Sequence, residues 1–155
     1  DLDTSRGLGD VYKRQNYTIK MLEEAYATLD DMPVCNQVEF HPYLDQSKLF
    51  AAATRLGIAL SAYCPLAKGR IFGDPVIKTL AAKYNRSEAQ IILRWIVQKG
   101  VSANPMSTKP ENLSANLEAV NFNLSAPDSA AIDRLGKKGL RIVDKDRMPI
   151  APEWD

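Results

Sequence analysis

The segment Gly57–Gly69, which reads GIALSAYCPLAKG, constrains the fold more than any other part of this chain. Its short apolar run, Ile58–Tyr63, follows a helix-ending glycine and stops before Pro65, and this length is typical of a strand buried on both faces. Such strands belong to parallel α/β sheets, in which ligands collect at the carboxyl ends of the strands. Tyr63 lies at that end, so it is either available to a flat ligand or a core tyrosine with a satisfied hydroxyl.

Helical and strand patterns alternate along the rest of the chain. Apolar spacing predicts helices over 17–29, 45–56, 74–84, 87–99, 108–120 and 125–135, and strands over 34–40, 58–63 and 101–105. Five residues have the chemistry of helix N-caps, those at 87 and 108 within capping boxes: Asp45, Asp74, Ser87, Thr108 and Ser125. Six residues are expected to end helices: Asp30, Asp31, Pro33, Gly57, Gly100 and Gly136.

This alternation predicts parallel βαβ units, each with a right-handed crossover. Three such strands are too few for a complete doubly wound domain, and a β/α barrel needs eight strands and about 250 residues. We therefore predict the C-terminal part of a (β/α)8 TIM barrel, with three parallel strands and flanking helices over 16–136. The tail over 137–155 is irregular and Pro-rich, and we expect it to wrap over a surface.

The first fifteen residues differ from the rest of the chain, because they show neither helical nor strand periodicity. Their GDVYKRQ run resembles translated sequencing-adaptor read-through, a kind of segment that carries no information about the fold. We therefore expect 1–15 to be non-native, the natural sequence to resume near Asn16, and its upstream part to be missing.

Composition narrows the class of protein. A net charge of +1 with 25% charged residues does not indicate a nucleic-acid-binding protein. No apolar run approaches the roughly 20 residues of a membrane span. Cys35 and Cys64 lie far apart without CxxC spacing, which favours two free thiols in a reducing cytoplasm. The single histidine, His41, argues against a histidine-based metal site.

Four motifs in consistent order resemble the second half of an aldo-keto reductase. They are Asn16, NQVEFHPYL (36–44), SAYCPLAKG (61–69) and NPMSTKPENLSAN (104–116). The closing RIVDKDRMPIAPEWD (141–155) is similar to tails of bacterial members related to 2,5-diketo-gluconate reductases. The resemblance spans residues 16–155, and four ordered motifs are far more specific than any one of them.

The resemblance implies a parent protein, monomeric and cytoplasmic, that reduces small aldehydes or ketones to alcohols with a nicotinamide cofactor. The family's catalytic Asp, Tyr, Lys and His lie upstream of this chain, so no residue here inherits those roles and the chain alone is expected to be inactive. His41 matches a family histidine that does not transfer the proton, and we expect it to pack a loop. Two alternatives stay open: a regulatory nicotinamide-nucleotide-binding module, or a non-functional gene fragment.

The same resemblance implies a nicotinamide site at the carboxyl ends of the strands. Asn16 and Gln37 match family amides that hold the carboxamide. The alternative is that each is a loop amide that hydrogen-bonds to nearby backbone. The family position of Tyr63 stacks on the nicotinamide ring and so fixes the face that delivers hydride. The serine that the family places before Asn16 is Gln15 here.

Further cofactor contacts are implied for the residues after the two later strands, namely Cys64, Leu66, Ser107, Thr108, Asn112 and Asn116. Ser107 and Thr108 precede a helix whose N-terminus favours an anion. Members that prefer the 2′-phosphorylated cofactor usually have a lysine and an arginine where this chain has Met106 and Asn112, and Lys109 could replace one of them. NADPH is therefore the expected cofactor, with NADH possible.

Overall fold

The computed structural model describes residues 13–29, 33–146, 149 and 151–155. One parallel sheet has its strands in chain order, and they are β1 (Lys13–Gln15), β2 (Cys35–Glu39), β3 (Ala59–Tyr63) and β4 (Ser102–Ala103). The helices are α1 (Ile19–Thr28), α2 (Ser47–Arg55), α3 (Pro75–Tyr84), α4 (Glu88–Gln98), α5 (Pro110–Leu117) and α6 (Ala126–Asp133). Short 3₁₀ turns cover Ala67–Gly69, Glu118–Val120 and Arg134–Lys138.

The strand order defines the architecture. Adjacent strands pair in parallel, with Gln15 opposite Gln37, Gln37 opposite Ser61, and Ser61 opposite Ser102. When strands follow chain order and every crossover is right-handed, the crossover helices lie on the same side of the sheet, as in the wall of a β/α barrel. The predicted alternation of strands and helices is confirmed.

The sheet has one strand more than the three predicted, because β1 lies within the segment 1–15, where the sequence predicts no strand. Its residues KRQ carry no strand pattern, but their backbone pairs with β2 over Cys35–Gln37. Asn16 continues this pairing, since its N–H donates to the Gln37 carbonyl at 2.8 Å. Backbone pairing is indifferent to side-chain identity, so the non-native origin of 1–15 stays a prediction, and residues 1–12 lie outside the described residues.

The hydrophobic core fills the space between the sheet and its helices. Val38 and Ala62 point into it from neighbouring strands, where they are opposite each other in the register and fully buried. The large side chains that are completely buried there include Leu22, Ile71, Ile77, Ile91, Ile92, Ile96 and Ile132. Tyr26 and Leu29 continue the apolar spacing of the first helix, but they are exposed.

Three predicted N-caps are confirmed by their hydrogen bonds. The Asp74 carboxylate accepts from the Val76 and Ile77 N–H groups, ahead of Pro75 in the first turn of α3. Ser87 forms a complete capping box with Gln90 at the start of α4. The Ser125 hydroxyl accepts from the Asp128 N–H and begins α6.

Three other predicted boundaries are wrong. Thr108 does not cap α5: the Ser107 hydroxyl accepts from the Lys109 N–H at 3.2 Å, and Lys109 becomes the N-cap with no side-chain bond. The N-cap of α2 is Gln46, not Asp45. The Asp45 carboxylate accepts from the Ser47 N–H, but Asp45 lies one residue before the N-cap.

The last helix stops at Asp133 instead of Gly136, which lies inside the following 3₁₀ turn. A Cβ on Gly136 would come within 3.3 Å of Asp45, so the glycine permits close packing here and does not act as a stop. The predicted ending of the first helix by Asp30 and Asp31 lies outside the described residues. Among the described helices, none combines the length and apolarity of a membrane span.

Candidate functional site

The carboxyl end of the sheet brings together the first three predicted site residues, Asn16, Gln37 and Tyr63, here called the amide–tyrosine cluster. The Tyr63 hydroxyl donates to Asn16 Oδ1 at 2.8 Å, and the Asn16 N–H donates to the Gln37 carbonyl at 2.8 Å. Asn16 has φ 59°, a left-handed conformation that asparagine tolerates better than most residues. All three residues are half-buried, so the bonded Tyr63 and Asn16 side chains still reach the surface.

The surroundings of Tyr63 keep its hydroxyl protonated. Burial raises the pKa of Tyr63 to about 12, and the negative charge of Glu39, its partner in the strand register, adds to the increase. Arg141 and the hydrogen bond to Asn16 act in the opposite direction and are weaker. The hydroxyl is therefore a permanent donor to Asn16 near neutral pH, and the ring is fixed at its outer edge.

A fully buried acid, which the sequence patterns did not single out, lies beside this cluster. Glu39 Oε1 is 2.9 Å from His41 Nε2, and neither side chain is exposed. The Glu39 carboxylate also accepts from the Ile142 and Val143 N–H groups at 2.7 and 2.8 Å. Burial alone would raise the pKa of Glu39, but these hydrogen bonds outweigh it and lower the pKa. His41 is thus a packed interior histidine, as expected.

A cavity of about 610 Å³ opens between the loop after β3 and helix α5. Five predicted site residues line it: Cys64, Leu66, Ser107, Asn112 and Asn116. Thr108 is not part of the lining, and the amide–tyrosine cluster lies outside it, although Tyr63 directly precedes Cys64. The other lining residues are Pro65, Lys68, Gly69, Phe72, Ser87, Ala89, Asn104, Pro105, Met106 and Ala115.

The loop on one side of this cavity has an unusual backbone. Cys64, Ala67 and Lys68 have φ values of 48°, 48° and 50°, and none of them is glycine. Left-handed residues of this kind cost about 1–2 kcal/mol each and are concentrated at ligand-binding sites. The surrounding structure must therefore offset the energetic cost of this backbone conformation.

The opposite wall of the cavity is open and weakly packed. Helix α5 has no buried residue, and Met106 in the preceding loop is 94% exposed. Two hydrogen bonds hold this wall: the Asn104 amide donates to the Ser61 hydroxyl at 2.7 Å, and the Gln90 amide donates to the Ala115 carbonyl of α5 at 2.9 Å. The wall therefore presents polar side chains on the surface of the protein.

The two cysteines are free, and the surroundings of Cys64 do not activate its thiol. Burial raises the pKa of Cys64, and the charge of Glu39 raises it further. Within the described part of the chain, no group of three or more His, Cys, Asp or Glu side chains is placed to hold a metal ion.

The fold and this site together identify the class of protein. A model of the Aldo/keto reductase family matches residues 14–137, and the chain therefore belongs to the aldo-keto reductase family. The resemblance read from the four motifs is thus confirmed.

More particular likenesses come from single proteins. The chain is 42% identical over 141 residues to "Methylglyoxal reductase DkgB" of Escherichia coli O157:H7, which covers 90% of this chain and 52% of that protein. A solved structure assigned as a 2,5-diketo-D-gluconic acid reductase B matches 91% of this chain with a TM-score of 0.85 and 34% identity. The Gox0644 D53A mutant in complex with NADPH matches 86% with a TM-score of 0.81 and 32% identity.

These matches also give the extent of the chain. It spans about half the length of the curated relatives it matches, and 50% and 49% of the two solved chains. The predicted fold, part of an eight-stranded β/α barrel, is confirmed by this partial coverage together with the parallel sheet.

Proposed function

We propose that this chain is the carboxy-terminal, cofactor-binding part of an NAD(P)H-dependent reductase that converts small aldehydes or ketones to alcohols. One observation carries the proposal: the ordered Tyr63–Asn16 pair lies at the carboxyl end of the sheet, directly before the loop that lines the cavity. A cofactor with a flat ring at one end and phosphates at the other fits this succession of surfaces. The matched structure with bound NADPH supports the choice of cofactor.

The amide–tyrosine cluster suits the nicotinamide end. When bound, the nicotinamide supplies the hydride for carbonyl reduction. Asn16 and Gln37 each offer a donor and an acceptor, which match the two halves of a carboxamide. The Tyr63 ring offers a flat face whose orientation is fixed by the bond to Asn16, so stacking on it would select one face of the ring.

The cavity suits the phosphate and adenosine end. Cys64, Leu66 and Lys68 line the cavity, and Cys64 and Lys68 have left-handed backbone conformations there. Across the cavity, Ser107 and Asn116 line the wall at the two ends of the α5 region, and Thr108 lies beside the helix N-terminus. We assign these residues to the cofactor site, with the backbone of the loop contacting pyrophosphate.

The preference between the two cofactors depends on a few exposed side chains. Met106 and Asn112 line the cavity at the positions where the resemblance expects two cations. A charge-assisted hydrogen bond to phosphate contributes about 1.5–3 kcal/mol, so their replacement weakens discrimination by the 2′-phosphate. We propose NADPH as the cofactor, with NADH accepted to a comparable extent unless Lys109 compensates.

The catalytic groups are proposed to lie in the half of the parent protein that this chain lacks. Within the chain, we propose that residues 16–136 are part of the barrel, that residues 137–155 are a tail, and that residues 1–15 are non-native. No proton donor is assigned here, and a positioned donor contributes roughly 10²- to 10⁴-fold. We therefore expect no NADPH oxidation by this chain with methylglyoxal or another small carbonyl compound. We further propose a monomeric parent in the cytoplasm, where its two free thiols would stay reduced.

Fluorescence titration of this chain with NADPH tests the proposal. Binding should saturate, and Tyr63→Ala should weaken it at least tenfold because the stacking face is lost. Tyr26→Ala is the matched control, since Tyr26 is 59% exposed on α1 and outside the cluster. No saturable binding, or equal loss in both variants, would refute the assignment of the site, and carbonyl-dependent oxidation of NADPH would refute the absence of catalytic groups.

A further inference from the structure

The described carboxy-terminal residues 138–146, 149 and 151–155, here called the strap, are fixed to the fold at separated points. Lys138 Nζ donates to Asp74 Oδ2 at 2.8 Å, and the Leu140 N–H donates to the Tyr43 carbonyl at 2.9 Å. At its far end, the Asp155 carboxylate accepts from the Ile19 N–H at 2.8 Å, at the start of α1. The strap therefore runs from the N-terminus of α3 to the N-terminus of α1.

Between these points the strap is held by one interior carboxylate. Glu39 accepts from the successive Ile142 and Val143 N–H groups, one at each carboxylate oxygen. Ile142 is buried, and Glu39 is completely buried. The Asp74 anchor involves the partly exposed Lys138 side chain, and the Asp155 anchor is exposed. The hydrogen bonds that Glu39 accepts end on a completely buried carboxylate, and this burial makes them stronger.

The residue before this anchor places a positive charge near Tyr63 of the proposed nicotinamide site. Arg141 interacts electrostatically with both Glu39 and Tyr63, and its guanidinium stacks on the Trp154 ring at 4.1 Å from the centroid. Because Trp154 directly precedes the Asp155 anchor, this stack connects the start of the strap, at Arg141, with its end. The position of the Arg141–Trp154 stack thus depends on the bonds to residues 142 and 143.

We propose that Glu39 is a positioning residue that pins the strap, and thereby fixes the positive charge of Arg141, with Trp154 stacked on it, relative to Tyr63. The functional part of this inference rests on the proposed nicotinamide site at Tyr63. A carboxylate suits this anchor because the two N–H groups bond to its two different oxygens, both of which are acceptors. A glutamine has the same shape but sets an NH₂ donor against one of the backbone donors.

Site-resolved proteolysis tests the pin without any cofactor. In Glu39→Gln, tryptic cleavage after Arg141 should accelerate at least tenfold more than cleavage after Lys78 in α3, which reports the global stability that the His41 pair also affects. Glu39→Asp retains the charge but ends one methylene short of the two N–H groups, so it should also release the strap. The Trp154 emission, obtained by subtracting the spectrum of the matching Trp154→Phe protein, should shift to longer wavelength in both variants.

Glu153→Gln is the matched control, because it removes a carboxylate from the strap itself. Glu153 pairs with Lys145 at 2.9 Å on the surface and has a 90% exposed side chain, so its loss should leave cleavage after Arg141 unchanged. Wild-type protection in either Glu39 variant would overturn the proposal, and so would parallel acceleration at Lys78. Failure of NADPH to bind would refute the proposed function and leave this result intact.

Discussion

The two ends of the candidate site are built differently. At the amide–tyrosine cluster, Tyr63 bonds to Asn16, and the adjacent Glu39 and His41 are fully buried and bonded to each other. At the other end, α5 buries none of its residues, and Leu117 is 75% exposed. Groups near the proposed hydride transfer are thus fixed by interior contacts, whereas those near the proposed adenosine end can vary at small cost in stability.

The largest test of this difference removes His41. In His41→Leu the Glu39 carboxylate loses one buried hydrogen-bond partner. A hydrogen bond to a charged group contributes about 1.5–3 kcal/mol, and the upper end is expected here because both side chains are completely buried. The free energy of unfolding by urea measures this loss. Arg55→Ala is the control, since it removes an exposed pair with Glu23 that is worth at most about 1 kcal/mol. Equal losses would show that the interior pair stabilises no more than a surface pair.

A smaller loss is expected from Asn16→Ala. The variant loses the acceptor for the Tyr63 hydroxyl, about 1 kcal/mol, and places an alanine at φ 59°, about 1 kcal/mol more. Asn16→Gly separates the two contributions, because glycine adopts this conformation without steric cost. Urea unfolding should therefore find the original protein more stable than Asn16→Gly, and Asn16→Gly more stable than Asn16→Ala. An alanine variant as stable as the original would mean that the cluster is not preorganised.

Most helices and strands were predictable because their signals are local. The capping hydrogen bonds of Asp74 and Ser87 join residues two or three positions apart, so the local sequence is enough to predict them. The predicted boundary at Thr108 is wrong because α5 begins one residue later, with Lys109 as its N-cap, and the nearby Ser107 hydroxyl bonds to the Lys109 N–H outside the helix. Strand β1 was missed for a different reason: it is defined by pairing with β2, and its own residues have no strand pattern.

The candidate site divides in the same way. Tyr63 followed from its place at the end of a buried strand, and Asn16 and Gln37 from the resemblance. Glu39 escaped detection because its partners, Ile142 and Val143, are 103 and 104 residues away in the chain. A lone acid in a strand gives no sign of such partners, so only the folded structure could reveal the anchor.

Cofactor discrimination tests the exposed end. Met106→Lys with Asn112→Arg should raise the ratio of the NADH to the NADPH dissociation constant at least tenfold, equivalent to about 1.4 kcal/mol, with little change for NADH. Fluorescence titration of both cofactors gives the ratio. Leu117→Lys is the control, because it adds a charge to α5 at an exposed residue that does not line the cavity. A thousandfold preference for NADPH in the starting protein would show that other residues bind the 2′-phosphate.

The smallest effect is expected from Asn112→Ala, the same chemical change as Asn16→Ala at the other end of the site. Asn112 is exposed on α5, and alanine is the better helix former, so stability should stay equal or rise by up to about 0.5 kcal/mol. Urea unfolding of the two alanine variants side by side measures the contrast directly. A loss above about 1 kcal/mol for Asn112→Ala would mean that α5 carries interior-type contacts, since exposed substitutions rarely cost that much. Such a result would remove the distinction between a fixed end and a variable end of the site.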